Sequence, residues 1–274
     1  MTVKDRGQVT NSAAEIYDEF YLPALFRQWT PLMINASYIG MGADVLDVAC
    51  GTGVLARDVY SKVGPDGTVT GLDINSGMLA VARMREPNIK WVEHAAERLP
   101  FEANQFDAVV SQFGMMFFED RETAVSEMVR VLKPGQRLAV AVWDALDTSP
   151  GYAALVDLLD RLFGSEIAQG LRSPFNMGDR TLFESYFNLP ELEDVSIETH
   201  QGLAQFDSIS DWVFTDAKGW VMSEAFGDGE MALLLKEAES ALSSFADKNG
   251  RVQFDAPAHI LSAQKVRLNN KSPD

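Results

Sequence analysis

The chain of 274 residues holds one cysteine, Cys50, and three histidines. It has no run of the roughly 18 uncharged apolar residues that a membrane span needs. Each scarcity excludes something. A single thiol cannot close an intramolecular disulfide, which points to a core-stabilised fold in a reducing compartment, the cytoplasm by default. Basic residues are also few: 23 Lys and Arg against 40 Asp and Glu leave a formal charge of −17, the wrong sign for gripping phosphates. Nucleic acid is thereby disfavoured as a partner. The polar stretch from Met1 to Gly7 lacks the apolar core of a signal peptide. The phosphate-loop pattern G-x-x-x-x-G-K-[ST] does not occur, so a nucleoside triphosphate loses its main support.

What is present is the composition of an ordinary globular protein, 46% hydrophobic and 23% charged, at a length that suits one α/β domain with insertions. The stretch around which the chain is organised runs from Val45 to Val59. Val45 to Ala49 is short, apolar and β-branched around Asp47, and from Thr52 onward Val54, Leu55 and Val59 fall at helical spacing. Between strand and helix lie Gly51 and Gly53, where a missing Cβ permits unusual dihedrals and lets a ligand approach the backbone. Gly51 to Ala56 satisfies the dinucleotide pattern G-x-G-x-x-G/A, which keeps NAD-dependent oxidoreduction as a reading. Asp47 speaks against it. A carboxylate under the turn repels a pyrophosphate and attracts an ammonium or sulfonium group. S-adenosylmethionine carries both. Cys50, inside the same turn, reads as a small packing residue.

After the tight loop Gly64 to Gly67, the spacing predicts a second strand from Thr68 to Leu72, ending at Asp73. Asp73 stands 22 residues beyond Gly51, where a parallel α/β unit holds a ribose. Ile74 then lies against the adenine. Met78, in the helix capped by Asn75 or Ser76, counts with it on the cofactor side. Ile89 to Glu93 and Phe106 to Val110 are the third and fourth strands, Arg121 to Leu132 an amphipathic helix stopped by Pro134-Gly135, and Leu138 to Trp143 the fifth strand.

Four stretches, Val45-Leu-Asp-Val-Ala-Cys-Gly-Thr-Gly53, Thr70-Gly-Leu-Asp-Ile-Asn-Ser-Gly-Met-Leu79, Leu99-Pro-Phe101 ahead of Phe106-Asp107, and Arg130-Val-Leu-Lys-Pro-Gly135, follow one another in a recognisable order. The chain resembles the class I S-adenosylmethionine-dependent methyltransferases, in the small-molecule branch that includes the ubiquinone and menaquinone biosynthesis enzymes. The resemblance is firm from Asp44 to Trp143 and loose elsewhere. It implies a Rossmann-like, doubly wound α/β fold whose seven-stranded sheet has the order 3-2-1-4-5-7-6, with the last strand antiparallel and helical cap insertions. It implies methyl transfer to a small-molecule acceptor, the acceptor atom (O, N, S or C) staying open, with S-adenosylhomocysteine as the product. In that family the loop after the third strand usually carries an Asp on the adenine. This chain has Ala95 there, so the contact passes to the backbone of Ala96, to Glu97, or to water. Gln112 falls where the family contacts the methionine part. The family's Asn/Asp-Pro-Pro-aromatic element for methylating amino groups on bases or glutamine is absent. The N-terminal helix folds over the cofactor there as a lid, and its tyrosines reach the methionine end.

The implied organisation is a helical lid over 1–39, a cofactor-binding half over 40–147, a substrate cap with the sixth strand over 148–254, a last strand over 255–268 and a flexible tail over 269–274. Asn11 to Trp29 reads as the lid helix, with a capping box from Ser12 and Glu15. Its aromatics, among them Tyr17, Tyr21, Phe26 and Trp29, fit either a lid or plain packing. Beyond Trp143, helices are expected at Leu155 to Phe163 and Arg180 to Phe187, and strands at Val195 to His200 and Ala258 to Val266. Phe206 to Ala246, with Trp212, Phe214, Trp220, Met222 and Phe226, reads as an inserted cap. An acceptor of high pKa needs a base. His200, at a strand end, is the first candidate, followed by Tyr17 and Tyr21, while His94 reads as a satisfied loop histidine. Asp144 and Asp147 find no third ligand by spacing, so no metal is expected. A chain that binds S-adenosylmethionine without transferring its methyl, as a regulator or for another reaction, is the alternative.

Overall fold

The computed structural model describes residues 11–219 and 226–267. Its centre is β1 (Asp44–Val48), an apolar strand with parallel neighbours on both sides, β2 (Thr68–Asp73) and β4 (Phe106–Gln112). Strands buried on both faces need no polar alternation, which is why these segments read as near-continuous apolar runs. β3 (Lys90–Glu93) extends the sheet beyond β2, and β5 (Leu132–Trp143) beyond β4. β9 (Ala258–Lys265) then runs antiparallel between β5 and the edge strand β6 (Leu192–His200). The order is β3-β2-β1-β4-β5-β9-β6. It is the expected seven-stranded order, with the final strand antiparallel. Because the chain leaves β1 in opposite directions for β2 and β4, their carboxyl ends open a crevice, the usual ligand position of such sheets.

Two short strands, β7 (Leu203–Phe206) and β8 (Val252–Asp255), form a separate antiparallel pair that the sequence reading did not anticipate. Both show the alternation of a half-buried strand, but four residues are too few to stand out. The fifth strand begins at Leu132 rather than Leu138, since Pro134 and Gly135 loop out as an irregularity in the pairing instead of ending it; Gly135 has φ of +79°.

The N-terminal segment is not one helix. α1 (Asn11–Ile16) passes into a π-helical stretch, Tyr17–Phe26, then a 3₁₀ turn and α2 (Thr30–Ala36). Pro23 lies inside the π stretch, where an ordinary α-helix loses a hydrogen bond and clashes with the turn before it. Its aromatics are mostly packed: Tyr21, Phe26 and Trp29 are buried, and Phe26 and Trp29 meet the stacked pair Phe113 and Trp143 edge-on or tilted.

The sheet is flanked by α3 (Val54–Val63), α4 (Ser76–Arg85) and α5 (Arg121–Val131). Asn75 caps α4 through Met78 N at 3.0 Å. Beyond β5 come α6 (Pro150–Phe163), α7 (Ser165–Arg172), α8 (Arg180–Ser185), α9 (Ile209–Lys218) and α10 (Asp228–Ala241), with α7 and α10 packed on α6 and α9 on α10. α9 and α10 fall within the stretch from Phe206 to Ala246 that the sequence marks as an insertion. Trp220, Met222 and the tail 269–274 lie outside the described residues. Among the described residues no helix is long and apolar enough to cross a membrane.

Candidate cofactor site

The turn after β1 is built from three left-handed residues in five: Ala49 at φ +57°, Gly51 at +56° and Gly53 at +85°. A Cβ on Gly51 would meet nothing within 4 Å, whereas one on Gly53 would stand 2.3 Å from the Trp91 ring. The two glycines therefore do different work. Gly51 leaves backbone open to the crevice; Gly53 is the N-cap of α3, fills no part of the cavity wall, and makes room for Trp91.

Asp73 ties the turn to β2. Its Oδ2 accepts the Gly51 N–H and its Oδ1 the Asn75 N–H, both at 2.8 Å, so each oxygen keeps acceptor capacity for a further donor. Burial raises its pKa, partly offset by the backbone N–H groups of Asn75, Gly51 and Ile74. Asp47 is 2% exposed, and its Oδ1 has no hydrogen-bond partner. Burial pushes its pKa well up, the Ala56 N–H at the start of α3 draws it down, and the charge of Asp73 raises it further. Two buried carboxyls thus face one space, and neither forms an ion pair among the described residues.

That space is a cavity of about 1180 Å³ with its open mouth counted. Asp47, Gly51, Asp73, Ile74, Met78, Ala96, Glu97 and Gln112 all line it, as do Thr52, His94 and Ala95. The sequence reading thus converges on one place for every proposed cofactor residue except Gly53. Thr52 Oγ1 and Gln112 Oε1 are buried without partners, as Asp47 Oδ1 is. Orphaned buried polar atoms are rare in folded proteins, and three lining one cavity mark a polar ligand. Glu97 is otherwise engaged: its Oε1 accepts the Glu119 N–H at 2.9 Å, bracing the loop after β3. Phe26, Phe113, Phe117 and Phe118 close the apolar side.

A family model described as a methyltransferase domain matches residues 45–135. The ubiquinone/menaquinone biosynthesis C-methyltransferase UbiE of Hahella chejuensis is 37% identical over 180 residues, 61% of this chain and 72% of that protein. The chain belongs to the class I S-adenosylmethionine-dependent methyltransferases. Some other relatives of the same name are spanned over only 56 to 62% of their length. Among solved structures, a phosphoethanolamine N-methyltransferase of Haemonchus contortus with S-adenosylhomocysteine bound shares the fold at TM-score 0.61 and 17% identity, over 94% of this chain and 58% of that one. The [4+2]-cyclase SpnF does so at TM-score 0.53 and 18% identity, over 95% of this chain and 97% of that one.

In this methyltransferase the three proposed bases fare poorly. His200 lies at the end of the edge strand β6, four strand spacings from β1, roughly 19 Å at the usual strand separation. It is absent from the cavity wall, and its ring faces Glu198 at 3.4 Å. Tyr17 does line the cavity, but burial first, then the charges of Asp73 and Asp18, raise its pKa and keep its hydroxyl protonated. That direction speaks against a base and leaves its hydroxyl a hydrogen-bond donor. Tyr21 sits one ring behind, and its hydroxyl donates to Asp216. Its pKa too is raised, chiefly by burial.

Asp144 is likewise spoken for. It receives the Ala145 N–H at 2.7 Å and faces His259 at 3.1 Å, while His259 also meets Thr199 and Gly178. Among the described residues no group of three or more His, Cys, Asp or Glu could hold a metal ion. The residues missed from sequence are Thr52, whose hydroxyl gives no motif signal, and Trp91, whose ring explains Gly53.

Proposed function

We propose that this methyltransferase holds S-adenosylmethionine in the crevice above β1, β2 and β4 and passes its methyl group to a small, mostly apolar acceptor under the cap. The observation that carries the reading is the set of orphaned polar atoms on Asp47, Thr52 and Gln112 beside a second buried carboxyl, Asp73. A cationic ligand rich in hydrogen-bonding groups relieves both the unpaired atoms and the repulsion between the carboxyls. In this assignment Asp73 binds the ribose hydroxyls, and Ile74, Met78 and Ala96 flank the adenine. Gly51 presents its backbone, and Asp47 and Gln112 serve the methionine end. The bound sulfonium supplies an activated methyl group. The protein's contribution is alignment and exclusion of water. Phe26, Phe113 and Phe117 form an apolar wall against which an acceptor can lie.

Asn11 to Trp29 closes the site from the N-terminal side, fastened by Asp18 to Arg57 at 3.4 Å and to Arg85 at 2.6 Å. Gln112 Nε2 reaches Phe26 O at 3.3 Å, linking this segment to the cavity floor. The name of the Hahella relative supports an acceptor from small-molecule biosynthesis. The matched methyltransferase domain ends at residue 135, before the cap, so the acceptor's identity does not follow from it. Incubating the protein and methyl-labelled cofactor with metabolite extracts tests the reading. Labelled product and S-adenosylhomocysteine should form together. Cofactor binding with no product from any extract would favour the alternative in which the methyl stays in place.

A further inference from the structure

Two stretches that stand out in the sequence, Leu99 to Phe101 and Arg130 to Gly135, lie outside the wall of the cofactor cavity, yet they meet each other. Arg130, in the last turn of α5, donates from Nη1 to Phe101 O at 2.8 Å and from Nη2 to Leu99 O at 3.0 Å. Glu127, one turn earlier, accepts the Leu99 N–H on Oε2 at 2.8 Å and the Arg130 Nε–H on Oε1 at 2.6 Å. The hydrogen bond with Arg130 lowers the Glu127 pKa, so the pair is charged at neutral pH. A loop outside helix and strand has to find partners for its backbone groups, and here one helix supplies them.

The same helix holds the loop at a second place. Glu97 Oε1 accepts the N–H groups of Glu119 and Asp120 at 2.9 and 3.4 Å, where α5 begins. The loop's own start is tied to β2, His94 N donating to Asp73 O at 3.0 Å. Between these ties lie Ala95 and Ala96, in the cavity wall beside Ile74 and Met78. Neither alanine brings a polar side chain, so a purine there meets backbone N–H and C=O groups, whose places are set by what holds the loop from outside.

We propose that Glu97, Glu127 and Arg130 are positioning residues for the cofactor's nucleobase, fixing the loop after β3 against α5 so that its backbone edge distinguishes an amino purine from an oxo purine. This rests on the cofactor site proposed above. Glu127 and Arg130 stand outside the cavity wall, so their effect reaches the ligand through the loop. A loop already held in place has less freedom to lose when the ligand binds. Exchanging amino for oxo on the purine changes donor and acceptor along that edge, and a fixed backbone is then left with unpaired groups.

The test is calorimetry with S-adenosylhomocysteine and S-inosylhomocysteine, which differ in that edge alone. The unaltered chain should prefer the adenine form by about tenfold or more. Arg130→Met keeps the length of the side chain and removes its donors; it should weaken S-adenosylhomocysteine about tenfold and shrink the preference to about threefold or less. Equal affinity of the unaltered chain for the two compounds would overturn the proposal, and so would a folded Arg130→Met chain with both affinities intact and only its melting temperature lowered. Should Arg130→Met fail to fold, Glu97→Ala takes its place with the same expected pattern, and unchanged binding by it counts against the proposal. Glu97→Gln keeps an acceptor oxygen without the charge and should restore most of what Glu97→Ala loses. A loss as large in Glu97→Gln as in Glu97→Ala would mean that the charge acts on the cofactor directly, contradicting a positioning role. Failure of the cofactor reading itself shows separately, as absent binding of S-adenosylhomocysteine by the unaltered chain.

Discussion

The cofactor cavity and the buried cluster of Tyr21, Tyr152 and Asp216 both hold carboxyls away from water, yet they are assembled in opposite ways. Asp73 meets Gly51 across 22 residues, within one strand-turn-helix-strand unit, whereas Tyr21 meets Asp216 across 195. The first arrangement is dictated locally: the chain cannot form β1, its glycine turn and β2 without bringing the two together. The second exists only once the N-terminal segment has packed on α9 and β7, so it depends on the whole tertiary structure. One arrangement is thus coded within a single motif, and the other only by contacts between distant segments.

The largest way to break this comparison is at Asp47. Asp47→Lys sets a cation beside a ligand that is itself cationic and should cost more than a thousandfold in S-adenosylmethionine affinity, roughly 4 kcal/mol. Titration calorimetry finding wild-type affinity would remove the charge argument for this cofactor over a dinucleotide. Next comes Asp216. The folded chain holds its proton up to about pH 7, while the unfolded chain releases it near 4. Between those values the folded state binds more protons, so this group's contribution to stability falls as pH rises, by about 1.4 kcal/mol per pH unit, and stays low above 7. Asp216→Asn should flatten that slope in denaturant titrations between pH 5 and 7. An unchanged slope would mean that Asp216 is not the group responsible.

The glycines sharpen the contrast within the motif itself. Gly53→Ala forces a left-handed alanine into the Trp91 ring and should destabilise the fold by about 2 to 3 kcal/mol. Gly51→Ala meets open space and should lose only about 1 kcal/mol of stability. Equal melting temperatures for the two variants would contradict their separate roles. Asp73→Ala should weaken the cofactor tenfold or more, since hydrogen bonds to a charged acceptor are worth about 1.5 to 3 kcal/mol each. A folded variant with unchanged affinity would take Asp73 off the ribose.

The same contrast explains what was legible in the sequence. The glycine turn, the first strands and the places of Asp47 and Asp73 follow from local periodicity and motif spacing, whereas the strand order and the places of Ala96 and Gln112 came with the resemblance to the methyltransferase family. His200 was chosen for lying at a strand end, but nothing in its neighbours says that β6 becomes the far edge of the sheet. Tyr152 and Asp216 carry no motif; their meeting with Tyr21 depends on packing between segments far apart in the chain. The π-helical turn at Pro23 was hidden for a related reason. Apolar spacing there suits any helix, and the wider register is set by what the segment packs against.

Hydrogen exchange with and without S-adenosylhomocysteine tests the central claim most directly, because it reports where the ligand sits and what closes over it. Protection should appear at residues 49–53, 73–75 and 94–97, and extend into Asn11 to Trp29 as that segment tightens on the ligand. Unchanged exchange at the turn and at Asp73 despite saturating ligand would contradict the site; protection at the turn with none in Asn11 to Trp29 would leave the site standing and reduce that segment to fixed packing.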